Sequence, residues 1–182
     1  MKKIMFSDAF CLTKAVLNGS KTMTRRVLKE GTPLGNWEET AKCLPYKVGE
    51  VVAIAQNYKK VYPNADFEMV DGNFMTESAG WTNKMFVRAD LMPRHIEFTD
   101  VKAERLQDIS DEDCLREGIR YYHSSDKRWP NNSRYGYHIP KNGLHLFDTP
   151  YEAFANLFER ISGKGTWESN PFVVAYSFEL VD

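Results

Sequence analysis

The shortness of the apolar segments constrains the fold more than any other feature of this sequence. Stretches rich in β-branched and aromatic residues, such as residues 51–55 and 172–178, are each long enough for one strand, and turn-forming residues separate them. They do not alternate with long helical patterns, which argues against the strand–helix–strand units of a parallel sheet. The sequence therefore predicts an α+β fold of about five or six strands, in which a mixed, largely antiparallel sheet closes into a small β-barrel flanked by short helices.

Strands are predicted where short apolar runs lie between turn residues. These runs cover residues 3–6, 51–55, 85–87, 95–106 and 172–178. The fourth run is long enough to contain a bulge. Glycine and proline punctuate residues 30–47, 61–82 and 121–147. We therefore predict loops for the first and third of these segments, and a hairpin or a surface excursion for the second.

Three helices are predicted from apolar spacing and from their N-cap residues, which are Ser7 or Asp8, Ser110 and Thr149. Asn18-Gly19 ends the first helix. Asp113 occupies the third position of the second helix, where its carboxylate can reach back as in a capping box. Pro150 is favoured at the first position of the third helix, whose apolar face runs along residues 151–161.

Size and charge place the chain in a broad class. Its 182 residues are the usual size of one domain, and its net charge is −1. Because the whole molecule is nearly neutral, any contact with nucleic acid has to come from a local basic patch. No apolar run approaches the roughly 18–20 residues of a membrane span, and Asp8 and Lys14 interrupt the apolar segment that a signal peptide needs. We therefore expect a single-domain cytoplasmic protein that does not contact a membrane.

Several familiar site motifs are incomplete. Gly19-x-Lys21-Thr22 lacks the full spacing of a phosphate-binding loop. The four histidines form no H-x-x-x-H pair, so we expect no metal site. The three cysteines form no C-x-x-C pair, and two of them, Cys11 and Cys114, lie on predicted apolar helix faces, where cysteine usually packs in the core. The sequence thus predicts no metal, no cofactor and no thiol nucleophile.

A basic cluster follows the end of the first predicted helix. Lys21, Arg25 and Arg26, with Thr24 among them, lie just beyond Gly19-Ser20. Two interpretations stay open: a solvated basic face, or a pocket in which Gly19-Ser20 and the two arginines bind an anionic or nucleotide ligand. Because Lys21 lies away from the apolar positions that build the core, we expect its loss to cost little stability.

Residues 121–147 combine aromatic and basic side chains. The aromatic residues are Tyr121, Tyr122, Trp129, Tyr135, Tyr137 and His138, and the cations are Lys127, Arg128, Arg134 and Lys141. Aromatic rings stack on bases while cations bind the nucleic-acid backbone, so the segment fits RNA binding. It fits equally well a long loop that its rings hold against the barrel.

Several segments together resemble the ASCH domain of the PUA-like superfamily, in a form seen among phage-encoded proteins. The family signature is a helix running into G-x-K-x-x-x-R, which reads here Gly19-Ser20-Lys21-Thr22-Met23-Thr24-Arg25. Val48-Gly49-Glu50-Val51 resembles the family's V-G-D strand entry, and other matches lie at residues 92–94, 101–110, 117–119 and 167–173. The resemblance implies one domain over residues 1–182, with insert-like loops at about 57–82 and 121–147, and a PUA-like barrel with a cleft beside the G-x-K motif.

One branch of the small ASCH proteins consists of N4-acetylcytidine amidohydrolases, which use a lysine, a threonine and a glutamate. By motif position these residues correspond to Lys21, Thr24 and Glu117. Many relatives carry a glutamate after the V-G-D strand, where this chain has Gln56. The chain is also much longer than the minimal amidohydrolases. The resemblance implies RNA or a modified nucleoside as ligand.

The three residue types suit amide hydrolysis, which needs a nucleophile, a proton acceptor and stabilisation of the oxyanion. Lys21 can accept a proton from Thr24 only if burial or the two adjacent arginines lower its pKa. Glu117 would orient Lys21 or activate water, although its charge raises the lysine pKa. Residues three apart point to opposite faces of a regular strand, so Lys21 and Thr24 converge only through a turn or bulge, which Gly19 permits.

The sequence therefore predicts binding of RNA or a modified nucleoside in a PUA-like cleft, and hydrolysis of an N4-acylated cytidine is the sharper hypothesis. The alternative is a non-enzymatic phage interaction protein that keeps the barrel and has no nucleic-acid ligand. The hypothesis requires that Lys21, Thr24 and Glu117 lie together in one cleft.

Overall fold

The computed structural model describes residues 1–123 and 134–182. These residues form ten strands and six α-helices, which in chain order are β1 (Lys3–Ile4), α1 (Leu12–Leu17), β2 (Met23–Val27), α2 (Trp37–Cys43), β3 (Val51–Ile54), α3 (Tyr58–Val61), β4 (Met69–Val70), β5 (Asn73–Phe74), β6 (His95–Arg105), α4 (Asp111–Arg116), β7 (Arg120–Tyr122), β8 (Arg134–Ile139), β9 (Gly143–Phe147), α5 (Pro150–Ser162), α6 (Thr166–Ser169) and β10 (Phe172–Leu180). Short 3₁₀ helices cover Met75–Glu77, Ala79–Trp81, Lys84–Phe86, Ala89–Leu91 and Leu106–Asp108.

The central sheet has five strands in the order β1-β3-β6-β10-β2. β1 runs parallel to β3, and the other neighbouring strands are antiparallel, so the predicted mixed, largely antiparallel sheet is confirmed. The bulge expected in β6 is present, because the pairing with β10 steps from Asp100 to Phe98 and skips Thr99. No pairing among the described residues joins the edge strands β1 and β2, so closure into a barrel stays a prediction.

The helices cover the sheet and build the core. The predicted N-caps of α4 and α5 are confirmed: Ser110 accepts from the Asp113 amide, and Thr149 accepts from the Glu152 amide. Phe154, Leu157 and other apolar residues of α5 join the main core cluster with side chains of β1, β3, β6 and β10. A smaller apolar cluster around Tyr58 lies beneath the segment that contains the β4–β5 hairpin, which confirms the hairpin expected in residues 61–82.

The N-cap expected for the first helix is wrong. α1 begins after Cys11, whose φ is +55° and whose side chain makes no cap hydrogen bond. Residues 8–11 instead form a turn, closed by hydrogen bonds from the Cys11 and Leu12 amides to the carbonyls of Asp8 and Ser7. The Asp8 carboxylate does not cap the helix and instead forms a salt bridge with Lys84 at 3.0 Å. A salt bridge thus takes the place of the predicted cap.

Two other local predictions are wrong because side chains cap short helices. Residues 85–87 are not a strand: the Asn83 side chain accepts from the Met85 amide and stabilises the 3₁₀ helix Lys84–Phe86. Residues 30–47 are not all loop: Asn36 caps α2 by accepting from the Glu38 amide, and acidic residues in the first turn favour the helix.

The predicted loop at residues 121–147 is also corrected. β7, β8 and β9 form a separate antiparallel sheet, and β8 also packs against α5. The glycine that indicated a loop belongs to the tight connection between β8 and β9, where Gly143 has φ +79°. Tyr137 is buried and donates to Asn156 of α5 at 2.6 Å. Trp129, Lys127 and Arg128 lie outside the described residues.

No helix in the described ranges combines the length and the apolar character that crossing a membrane requires.

Candidate functional site

A cavity of about 490 Å³ lies along the edge strand β2. Its polar lining consists of Lys21, Thr24, Arg25, Arg26 and Glu117. α5 supplies an apolar wall through Phe154, Leu157, Phe158 and Ile161, and residues 5–7 complete the rim. The volume falls within the range of about 300–1,000 Å³ that small-molecule sites occupy. All three residues that the resemblance assigns to catalysis therefore face one cavity.

The end of α1 brings Lys21 to this cavity. The chain reverses at Gly19, which has φ +74°, and the Gly19 and Lys21 amides donate to the carbonyls of Val16 and Ala15, each at 2.9 Å. Lys21 therefore lies before β2, which begins at Met23. Lys21 and Thr24 therefore do not belong to one continuous strand, which would point their side chains to opposite faces.

The Lys21 ammonium is buried and has three acceptors. It donates to the carbonyls of Met23 and Glu117, both at 2.7 Å, and to Glu117 Oε2 at 2.6 Å. Burial lowers the pKa of Lys21, while the Glu117 carboxylate acts in the opposite direction. The expectation that Lys21 lies outside the packed interior is wrong, because Glu117 compensates its charge there.

Arg25 lies at the centre of a buried ionic cluster. Its Nη1 donates to Glu117 Oε1 at 3.2 Å, and its Nη2 donates to Glu104 Oε1 at 2.6 Å and to Asp113 Oδ2 at 2.8 Å. The pKa of Arg25 is raised, since these carboxylates together outweigh burial, which acts to lower it. The guanidinium therefore holds Glu117 in place. Three carboxylates already neutralise the positive charge that it could offer to a ligand.

Asp113 and Glu104 are residues of this ionic cluster that sequence reasoning missed. The expected capping box is wrong: the Asp113 carboxylate binds Arg25, Lys102 at 3.3 Å and Arg116 at 3.2 Å. Burial raises the pKa of Asp113, but the hydrogen bonds and charges of Arg25 and Lys102 together lower it below its ordinary value. One sequence signal could have indicated this role: Asp113 and Glu117 are four residues apart, so a helix places both carboxylates on the same face.

Thr24 and Arg26 reach the cavity from the other face of β2, because β2 is an edge strand. Thr24 is buried, and its hydroxyl makes no hydrogen bond within the described part of the chain. Arg26 donates from Nη2 to the Met5 carbonyl at 2.9 Å, and its Nε is buried without a partner in the same part. Arg26 also has no carboxylate within 4.0 Å there, so it is the cavity's uncompensated cation.

The structure places Gly19 and Ser20 outside this cavity. Both are exposed, and Ser20 Oγ donates to Ala15 O at 3.2 Å and Asn18 Oδ1 at 2.7 Å. Ser20 Oγ also accepts from Arg120 Nη2 at 3.1 Å. Ligand binding by Gly19-Ser20 stays a prediction, and any such ligand would lie on the far side of Lys21.

The cysteines occupy different environments. Cys114 is buried in α4 as expected, and burial raises the pKa of its thiol to about 12. Cys11 is not on a helix face as expected, since it precedes α1 and its Sγ lies 3.7 Å from His138 Nδ1. Within residues 1–123 and 134–182, no group of three histidine, cysteine or acidic residues is arranged to hold a metal ion.

Comparison with known proteins adds distant structural likenesses. No protein-family model matches the chain, and no curated protein sequence matches it. Protein EF3133 from Enterococcus faecalis V583, described as DUF984, is similar with a TM-score of 0.46 and 17% identity, over 100% of this chain and 80% of that one. An ASCH domain from Lactobacillus crispatus JV V101 gives a TM-score of 0.41 and 15% identity, over 99% and 79%. At these values neither likeness decides the ligand or the activity, which have to be inferred from the geometry of the cavity.

Proposed function

We propose that the chain binds a modified nucleoside, free or within RNA, in the cavity along β2, and that it hydrolyses the amide of an N4-acylated cytidine there. One observation carries this proposal: a buried lysine–carboxylate pair and an unbonded threonine hydroxyl line the same cavity. A nucleophile, a group that exchanges protons and an uncompensated cation are the components that acyl transfer requires.

Lys21 and Glu117 would supply the base. Glu117 Oε2 lies 2.6 Å from Lys21 Nζ and orients it, and the base would be the neutral amine form of Lys21. Burial favours this neutral form of Lys21. Lys21 and Thr24 are not hydrogen-bonded in the described structure, so the transfer of the Thr24 proton to the amine requires that substrate binding bring the two within hydrogen-bond reach, while Arg25 holds Glu117 in place.

In the first step Thr24 Oγ forms a bond to the acyl carbon, and its proton passes to the Lys21 amine. The bond between the acyl carbon and N4 then breaks, and the Lys21 ammonium returns that proton to N4, so cytidine leaves with a free amino group. Arg26 stabilises the oxyanion, because its charge is not neutralised by a carboxylate in the described structure. In the second step water cleaves the Thr24 ester, which releases acetic acid and restores the hydroxyl.

A second candidate function is binding without turnover. The three acceptors around the Lys21 ammonium favour its charged form, which has no lone pair and cannot act as a base. A ligand that leaves these hydrogen bonds intact would be held and released unchanged.

The test is to incubate the protein with N4-acetylcytidine and to quantify cytidine and acetate by chromatography. We expect the two products in equal amounts, and no cytidine with the Lys21→Arg variant, because arginine is not deprotonated near neutral pH. Full turnover by Lys21→Arg would exclude lysine as the base. If the wild-type protein releases no cytidine but binds the nucleoside in calorimetry, the second candidate holds. If the protein neither binds nor hydrolyses the nucleoside, the remaining hypothesis is an interaction protein that has no nucleic-acid ligand.

A further inference from the structure

The cavity along β2 lies against an open edge of the central sheet. β10 pairs with β2 on one side, and no strand among the described residues pairs with it on the other. The consecutive residues 24–27 all line the cavity, although side chains alternate between the two faces of a strand. They can share one cavity because it runs along the edge, where the main chain of β2 is accessible.

The pairing with β10 decides which main-chain groups point to this edge. At the two ends of the ladder, Thr22 and Leu28 form main-chain hydrogen bonds with β10, at 2.9 and 3.0 Å. Along an antiparallel strand, residues that bond to one neighbour alternate with residues whose N–H and C=O groups point the other way. The even-numbered residues of β2 therefore bond to β10, and Met23, Arg25 and Val27 direct their main-chain groups to the open edge.

Two further observations agree with this direction. The Met23 carbonyl accepts from the Lys21 ammonium, and Lys21 lines the cavity. Arg25 is 5% exposed as a residue while its side chain is 0% exposed, so the accessible part of Arg25 is its main chain. Neither the Arg25 carbonyl nor the Val27 amide has a hydrogen-bond partner within residues 1–123 and 134–182. The edge thus offers a ligand one acceptor and one donor, separated by a single residue.

We propose that the Arg25 carbonyl and the Val27 amide select the bound nucleoside by its cytosine ring. The inference rests on the proposed function and adds the groups that recognise the base. The carbonyl accepts a hydrogen bond from N4, and the amide donates to N3, the neighbouring atom on the same edge of the ring. An N4-acylated cytidine keeps one hydrogen on N4, so it can form the same pair. Because Thr24 directly precedes Arg25, this pairing brings N4 to the part of β2 that carries the proposed nucleophile.

A base suits this edge better than an added peptide strand does. Lys21 already occupies the Met23 carbonyl, and β2 ends at Val27, so the open run of main-chain groups is short. A peptide that adds a strand to a sheet gains its affinity from a row of main-chain hydrogen bonds. The apolar wall of α5, which includes Phe154 and Phe158, suits the faces of a flat ring.

The first experiment measures hydrogen exchange of the β2 amides by NMR, and its ligand-free arm does not depend on the proposed function. We expect the amides of Arg25 and Val27 to exchange fast and those of Thr24, Arg26 and Leu28 slowly, since only the second set bonds to β10. Saturating cytidine should then slow exchange at Val27 by about tenfold or more. Equal rates for the two sets in the free protein would overturn the inference, because the edge would not be open.

The second experiment measures affinities by calorimetry. The wild-type protein should bind cytidine about tenfold more tightly than pyrimidin-2-one riboside, which lacks the 4-amino group that donates to the Arg25 carbonyl. Val27→Pro removes an N–H that the ladder does not use, which an edge strand tolerates. This variant should bind cytidine about tenfold more weakly than Val27→Ala, which keeps the N–H and accounts for the loss of the side chain.

Equal affinities for cytidine and pyrimidin-2-one riboside would overturn the inference, and this comparison needs no variant to fold. Equal affinities of Val27→Pro and Val27→Ala for cytidine would also overturn it. In both cases the protein would still bind cytidine and hydrolyse N4-acetylcytidine. Failure of the proposed function has a different signature: the wild-type protein binds no cytidine and releases none from N4-acetylcytidine, although the Arg25 and Val27 amides exchange fast. The inference then falls with the proposed function, and the open edge is left for an extended peptide.

Discussion

The Lys21 ammonium and the Glu117 carboxylate lie 2.6 Å apart although 96 positions separate them in the chain. Both side chains are buried, so each charge depends on the other for its compensation. Arg25 shares the second oxygen of the same carboxylate at 3.2 Å. The pair therefore couples the turn after α1 to the end of α4, and it has consequences for stability as well as for chemistry.

Removing Lys21 alone should be costly. Lys21→Met leaves the buried Glu117 carboxylate with Arg25 as its remaining cation, and breaking a buried ion pair from one side typically costs about 3–5 kcal/mol. We expect a loss of about 3 kcal/mol in the free energy of unfolding, measured by urea titration. The control is Lys21→Met/Glu117→Gln, which removes both charges and should recover part of the loss. A single variant as stable as the wild type would show that the pair is not buried as described.

Stability should fall at acid pH in part through Asp113. The cations around Asp113 lower its folded pKa below the ordinary value of 3.8. Between the two pKa values the unfolded chain binds the proton and the folded chain does not, so the stabilisation is present above pH 3.8 and is lost as pH falls through the folded pKa. Asp113→Asn should therefore be less stable near neutral pH and should show a shallower decline below about pH 4. Parallel curves for variant and wild type in unfolding experiments at several pH values would contradict this account.

The three cysteines should react in a fixed order. Cys43 is exposed, Cys11 is half-buried and Cys114 is buried with its thiol pKa raised to about 12. Because the thiolate is the reactive form, we expect a neutral alkylating reagent to modify Cys43 first and to leave Cys114 intact in the native protein. Peptide mass spectrometry measures this order, and denaturant should make all three react. Rapid native labelling of Cys114 would mean that α4 is not packed as described.

If an RNA strand binds, its affinity should depend only weakly on salt. Arg26 lines the cavity along β2, and Lys14 and Arg120 line a second, smaller cavity; none of the three has a carboxylate within 4.0 Å among the described residues. Each phosphate neutralised on a single strand contributes about 0.7 to the slope of log affinity against log salt, so we expect a slope of about −2. Titrations at several salt concentrations measure it. A slope steeper than about −5 would reveal a basic surface beyond these three residues.

Much of the fold could be predicted from signals that lie close together in the chain. The apolar runs of β3, β6 and β10 and the capping residues Ser110 and Thr149 act within a few positions of the chain, so their structures follow from the sequence. The same local signals misled elsewhere. The turn residues between β8 and β9 indicate a loop, but the segments on either side of them pair as a hairpin, from Ile139 with Gly143 to Tyr135 with Phe147, and neither segment shows that pairing by itself.

The sequence pattern predicted which three residues lie together, but it did not predict their burial or the ion pairs around them. The family pattern brought Lys21, Thr24 and Glu117 together, and the structure places all three in one cavity. The burial of Lys21 and the second role of Asp113 depend on ion pairs between distant segments, which spacing along the chain does not encode. Ligand binding by Gly19-Ser20 stays a prediction, since both residues are exposed and Ser20 Oγ accepts from Arg120.

The most direct test of the proposed hydrolysis is the turnover of N4-acetylcytidine by Thr24→Val. Valine keeps the shape of threonine and removes a hydroxyl that makes no hydrogen bond in the described structure, so the free energy of unfolding should change by less than about 1 kcal/mol. Turnover should fall by more than about a thousandfold, as expected when the nucleophile is lost, and Thr24→Ser should restore a measurable part of it. Wild-type turnover by Thr24→Val would contradict the account, because the acyl group would then be transferred without the threonine hydroxyl.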